Sequence, residues 1–167
     1  MVDVTIDGQM TAASFDPSTT SGIIGTTTND DAAAGSVGQT VSASVTVGSA
    51  IALTTLTITD LASISLTAGD WIVSGAMGCN PDGTTNLVYF TGWSSDVSAT
   101  LPEEQFTARF SNPSSGIVYA GFGLQSITIP TRRYALSVTT TIYLSIVSSF
   151  TISTNEGFGF IQARRIR

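Results

Sequence analysis

The chain contains no histidine and no lysine, a single cysteine, and charged residues at only 11% of its positions. Each of these shortages excludes a class of chemistry. Histidine is the usual proton shuttle near neutral pH and the commonest metal ligand, and lysine is a frequent nucleophile or phosphate anchor, so most standard active sites lack their central residue here. Without histidine no Ser-His-Asp arrangement can form, and no G-x-S-x-G elbow is present. Cys79, standing alone, excludes an intrachain disulfide and a cysteine-rich zinc site. A formal charge of −6 without lysine disfavours a nucleic-acid partner, whose phosphates call for many cationic contacts. The longest apolar stretches, such as Ile142 to Val147, fall far short of the ~20 residues that cross a bilayer, and the residues after Met1 do not read as a basic n-region followed by an apolar h-region, so secretion through a signal peptide is not expected. We therefore expect a soluble protein without cofactor, metal, nucleic-acid partner or membrane insertion, and no catalytic residues.

What the chain has instead is hydroxyl groups. Serine and threonine fill close to three residues in ten, beside an apolar fraction of 42%. Threonine is β-branched and suits a pleated surface that is dry on one side and wet on the other. At 167 residues the expectation is one domain with one buried core.

Residues 1–40 read as an extended N-terminal arm and connector, and residues 41–167 as the folded body. Val2, Val4 and Ile6 alternate briefly before the sequence becomes rich in Gly, Ser, Thr and Asp, and Gly25 to Gly38 reads as a connector. From Val41 the period becomes two. Strands are expected over Val41 to Val47, Ala50 to Thr59, and Leu61 to Leu66, with Ile64 and Leu66 on one side and Ser63 and Ser65 on the other. A turn at Thr67 to Asp70 leads to a strand from Trp71, in which Gly75 and Gly78 suggest a bulge or a close backbone approach, and a hairpin end at Asn80 to Gly83. Further strands are expected over Asn86 to Trp93, Gln105 to Phe110, Ile117 to Leu124, Ser126 to Ile129, Tyr134 to Val138, Thr141 to Val147 and Phe158 to Ile166, with Pro130-Thr131 and Thr154 to Gly157 as punctuation. Eight to ten short strands without a helical stripe predict an all-β antiparallel sandwich or jelly roll.

Several residue groups bear on function. Glu103 and Glu104 are adjacent and, in a strand, point to opposite faces, so they cannot flank one glycosidic bond; a distant pair such as Asp82 with Asp96 or Glu156 is the remaining hydrolase arrangement. Asn29-Asp30-Asp31 offers oxygen ligands that could hold a calcium ion with backbone carbonyls but lacks the acidic pattern of an EF-hand, so a plain turn or connector is expected, and Gly121-Phe122-Gly123 is too short for a dinucleotide fingerprint. Arginine is the only cation, and at least one of Arg164 and Arg165 is expected at a subunit contact or in a charge network. A charge-poor body with many late aromatics implies a homo-oligomer, a trimer, with Tyr143, Phe158, Phe160, Arg164 and Arg165 at the interface.

The run GTTTNDDAAAGSVGQ at Gly25 to Gln39, the block SAIALTTLTITDLASISLTAGDWIVSG at Ser49 to Gly75 and the ending GFGFIQARRIR at Gly157 to Arg167 resemble small tailed-phage virion proteins and tail-fibre end domains. The most specific parts are Ser65 to Trp71 and Ala163 to Arg167. The resemblance implies a jelly-roll trimer, similar in plan to tumour-necrosis-factor and complement-C1q heads, on the surface of a phage particle: a capsid decoration or head-fibre spike that binds other virion proteins. In that reading Val2, Val4 and Ile6 anchor the protomer by adding to a partner's sheet edge. The alternative is a tail-fibre or receptor-binding module recognising a bacterial surface glycan for host attachment, with Trp93 as sugar platform beside Asp96.

Overall fold

The computed structural model describes residues 31–102, 106–112 and 124–167, and Asp31–Arg167 forms one compact unit. The anchoring residues Val2, Val4 and Ile6, the pair Glu103-Glu104, the Gly121-Phe122-Gly123 motif and most of the strand expected at Ile117 to Leu124 lie outside the described residues.

Among the described residues nine strands follow one another: β1 (Thr40–Val45), β2 (Ile51–Ala52), β3 (Thr59–Leu66), β4 (Gly69–Pro81), β5 (Asn86–Ser95), β6 (Thr107–Ser111), β7 (Gln125–Leu136), β8 (Thr140–Thr151) and β9 (Asn155–Arg165). A single 3₁₀ turn, Val47–Ser49, separates β1 from β2. The strands form two antiparallel sheets, one in the order β1-β9-β4-β7 with β2 also on β9, the other in the order β3-β8-β5-β6. Only β5 and β6 are both consecutive and hydrogen-bonded neighbours. From β2 to β3, β3 to β4, β4 to β5, β6 to β7, β7 to β8 and β8 to β9 the chain changes sheet each time. That connectivity is a jelly roll, the all-β sandwich expected from the alternating pattern.

β9 shows how the sequence dictates the layers. Asn155, Gly157, Gly159, Ile161, Ala163 and Arg165 are buried, whereas Glu156, Phe158, Phe160, Gln162 and Arg164 face outward. The inner positions of both sheets meet in one core, with Trp71, Val73, Met77 and Ile161 from the first sheet against Leu66, Phe90, Ile142, Leu144 and Ile146 from the second. Burying each large side chain contributes roughly 1.5–3 kcal/mol, which makes this interior the main source of stability.

Three local expectations are corrected. The turn at Asn80 to Gly83 is no hairpin, because β4 pairs with β7 and β9 while β5 pairs with β6 and β8; the turn carries the chain from one sheet to the other. The stretch Ala50 to Thr59 supplies only the two residues of β2. Its continuation turns away, with Leu56 in the left-handed region at φ 60° and its N–H donating to the Ser148 carbonyl at 2.7 Å. The third concerns Pro130, which does not interrupt the chain: β7 runs through it. Val73 pairs with Arg132 and Gly75 with Ile129, so Pro130 and Thr131 together face Ser74 in a bulge. A proline on the last strand of a sheet, at a bulge, removes no ladder hydrogen bond. The expected close approach is met at Gly78, where a Cβ would lie 2.2 Å from the Gln125 carbonyl oxygen and 2.4 Å from the Phe158 ring.

Candidate functional site

The outer face of the first sheet can be assembled from its register. One row across it is Thr40, Arg164, Ile72 and Arg133; the next holds Ser42, Gln162 and Ser74; then come Ser44, Phe160, Ala76 and Thr128, followed by Phe158, Gly78 and Ser126. At the far end Glu156 faces Asn80, whose amide donates to its carboxylate at 3.4 Å. Charge is thus confined to the two ends. The three middle rows hold only small, hydroxyl, amide and aromatic side chains, because β4 presents Ser74, Ala76 and Gly78 outward. Their small size leaves a shallow trench walled by Phe160, which is 40% exposed.

Of the expected interface residues, Phe158, Phe160 and Arg164 share this face. Two do not. Tyr143 pairs with Ser63 and Ser95 on the outer face of the opposite sheet. Arg165 points into the sandwich, since the period of β9 puts it on the side opposite Arg164, and it is only 7% exposed. Its guanidinium lies 4.6 Å from the Trp71 ring centroid and donates to the Thr67 hydroxyl. Gly69 makes this burial feasible. At φ +138° it occupies a region that L side chains rarely adopt, and a Cβ there would stand 2.1 Å from Arg165 Nη1.

Beside Arg165 lies an ion-pair network that the sequence reading did not single out. Buried Asp70 accepts a bidentate pair from Arg133, Nε–H at 3.3 Å and Nη2–H at 2.7 Å, and a second ion pair from Arg167 at 2.7 Å. The hydrogen bond from Arg133 holds the Asp70 carboxyl below the usual aspartate range, outweighing the opposing effect of burial. Arg132, the other half of the Arg132-Arg133 pair, stacks between Phe106 at 4.5 Å and Tyr134 at 4.8 Å.

Trp93 is not a sugar platform. It faces outward on β5, yet it is fully buried, because the segment Asp96 to Thr100 folds over it and the indole N–H donates to the Thr100 carbonyl at 2.8 Å. Asp60 fastens this strap, accepting from the Ser98 hydroxyl at 2.6 Å, the Ala99 N–H at 3.1 Å and the Ser145 hydroxyl at 2.6 Å. Asp96 stays exposed at the start of the strap, with no open aromatic surface at Trp93 beside it.

Chemistry-bearing groups are dispersed. Cys79 is buried, and burial pushes its thiol up to about 12, so it stays protonated and unreactive at neutral pH. Among the described residues no three His, Cys, Asp or Glu side chains gather in a way that would hold a metal ion, and no helix is long and apolar enough to cross a membrane. Asp31 accepts the Thr40 hydroxyl at 3.0 Å, a contact that ties the start of the compact unit to β1.

Fold and surfaces together define a jelly-roll sandwich in which the distinctive geometry lies in its faces and ends. Comparison with protein-family models, with characterised proteins and with solved structures gives no match to this chain.

Proposed function

We propose that this protein is a non-enzymatic structural component of a bacteriophage particle, a homotrimeric jelly-roll spike that decorates the capsid and is attached through its N-terminal residues. The observation that carries the reading is the outer face of the β1-β9-β4-β7 sheet: three consecutive rows without a charge, centred on Phe158 and Phe160 over Ser74, Ala76 and Gly78. A neighbouring copy covering this face removes aromatic surface from water at no cost in buried charge, and the small residues of β4 admit close approach. The sequence resemblance at Ser65 to Trp71 and Ala163 to Arg167 supplies the phage setting.

In this reading Val2, Val4 and Ile6 add to a partner's sheet edge on the virion, and three such arms on one trimer raise the apparent affinity through effective concentration. The test is deletion of residues 1–20. The shortened protein should keep its strand-rich circular dichroism and its trimer mass while failing to co-sediment with particles. Truncated protein that stays on virions at the level of the full chain contradicts the reading.

A further inference from the structure

The strap over Trp93 has a second side. Next to it, on the outer face of the β3-β8-β5-β6 sheet, lies a cleft of about 500 Å³ lined by Tyr89, Thr91, Leu101, Thr107, Arg109 and Val147. That size falls within the roughly 300–1,000 Å³ typical of small-molecule sites. Tyr89 and Thr91 project from β5 on the same side as Trp93, two residues apart, while Thr107 and Arg109 face them from β6 in register with Trp93 and Thr91.

Arg109 is the one arginine among the described residues of this sheet. Its guanidinium is held on two sides, stacked 4.0 Å from the Tyr89 ring centroid and donating from Nε to the Ser111 hydroxyl at 3.0 Å. Among the described residues it has no carboxylate partner, whereas Arg133 and Arg167 are both committed to Asp70. The result is an exposed guanidinium restrained by one ring and one hydroxyl. A guanidinium is the donor fork that matches a carboxylate, and restraining it beforehand reduces the entropy lost on binding. Around it stand hydroxyls at Thr91 and Thr107 and an apolar wall at Leu101 and Val147. Among the described residues no carboxylate lines the cleft.

We propose that this cleft binds a carboxylated sugar, a hexuronate unit of a polysaccharide, with Arg109 clamping the carboxylate. Thr91 exchanges hydrogen bonds with the ring hydroxyls, and the C–H face of the sugar lies against Leu101 and Val147. One guanidinium with neutral hydroxyl neighbours suits a single negative charge on a hydroxylated ring better than a phosphate, which draws on several cations. The site lies on the sheet opposite the proposed self-association face.

The test is an NMR titration of the full chain with trigalacturonate, with its fully methyl-esterified form and with triglutamate. Trigalacturonate should shift the resonances of Thr91, Thr107, Arg109 and Val147 and saturate at millimolar concentration. Esterification, which removes the charge and keeps the ring, should weaken binding by about tenfold or more, the effect expected for losing a charged hydrogen-bonded pair. Arg109→Gln should do the same, with Arg109→Lys intermediate because a point charge cannot form the planar fork. Binding of the ester or of triglutamate as tight as that of the acid sugar, or no saturable shift with trigalacturonate, overturns the proposal; the acid-against-ester comparison needs no variant and so is independent of folding effects.

Discussion

Gly69 and Arg165 form a coupled pair whose energetics can be worked from the geometry. In Gly69→Ala the new methyl meets two obstacles: a backbone held at φ +138°, and the guanidinium of Arg165, whose Nη1 would lie 2.1 Å away. The backbone strain costs about 1–3 kcal/mol. Displacing the guanidinium forfeits its place over Trp71, worth about 1–2 kcal/mol in this desolvated setting, and weakens the charged hydrogen bond to Thr67 by a similar amount. The single substitution should therefore destabilise by about 3–7 kcal/mol. In an Arg165→Ala background only the backbone part remains, so a double-mutant cycle should show a coupling of at least about 1 kcal/mol. Urea denaturation of the four proteins at one fixed concentration measures this. Additivity within about 0.5 kcal/mol would refute the claim that Gly69 is there to make room for Arg165.

Asp70 predicts an acid limb. Its folded-state pKa is depressed by the Arg133 hydrogen bond, so the carboxylate favours the folded state above the ordinary aspartate value of 3.8, and that stabilisation is lost as pH falls below it through the lower folded value. Asp70→Asn should flatten the decline in unfolding midpoint below about pH 4, and an unchanged acid limb would show the network to be without consequence. Cys79 should resist a thiol reagent at pH 8 in the native protein and react fully in denaturant, since its thiol is buried with a pKa raised to about 12; rapid native labelling would contradict that environment. Asp60→Ala removes the acceptor for Ser98, Ala99 and Ser145, and should cost about 1–3 kcal/mol while speeding hydrogen exchange at the Trp93 indole N–H; unaltered exchange would mean that the strap does not depend on Asp60.

The layers of this fold were legible where polar and apolar side chains alternate, as in Ser63, Ile64, Ser65 and Leu66 of β3, whereas β9 turns Phe158 and Phe160 outward and Asn155 and Arg165 inward against that pattern. Topology was less legible. The turn Asn80 to Gly83 has the composition of a hairpin, yet turn chemistry specifies only a reversal of the chain, and which sheet receives the next strand is decided by core packing. Pro130 reads as a breaker when taken by itself, and only its position on the last strand of the sheet, opposite Ser74, makes it compatible with β7. The placement of Phe158, Phe160 and Arg164 on one face follows from their even spacing, and the same arithmetic sends Arg165 inward. Trp93 misled for a different reason. Its outward register is real, but the strap that covers it is fixed by Asp60, a residue distant in sequence. The cleft beside it was within reach of the alternation Tyr89, Thr91, Trp93 and Thr107, Arg109, Ser111, whereas the pairing of β5 with β6 that brings the two sets together was not.

The central claim, that the uncharged outer face of the β1-β9-β4-β7 sheet is covered by copies of the same chain, is tested most directly by sedimentation equilibrium at micromolar concentration on the full protein and on Phe160→Glu. The account predicts a species of three times 17.3 kDa for the unaltered chain and a folded 17.3 kDa monomer for the variant, in which a carboxylate stands at the centre of the face. A monomer in both, or a trimer in both, would contradict it.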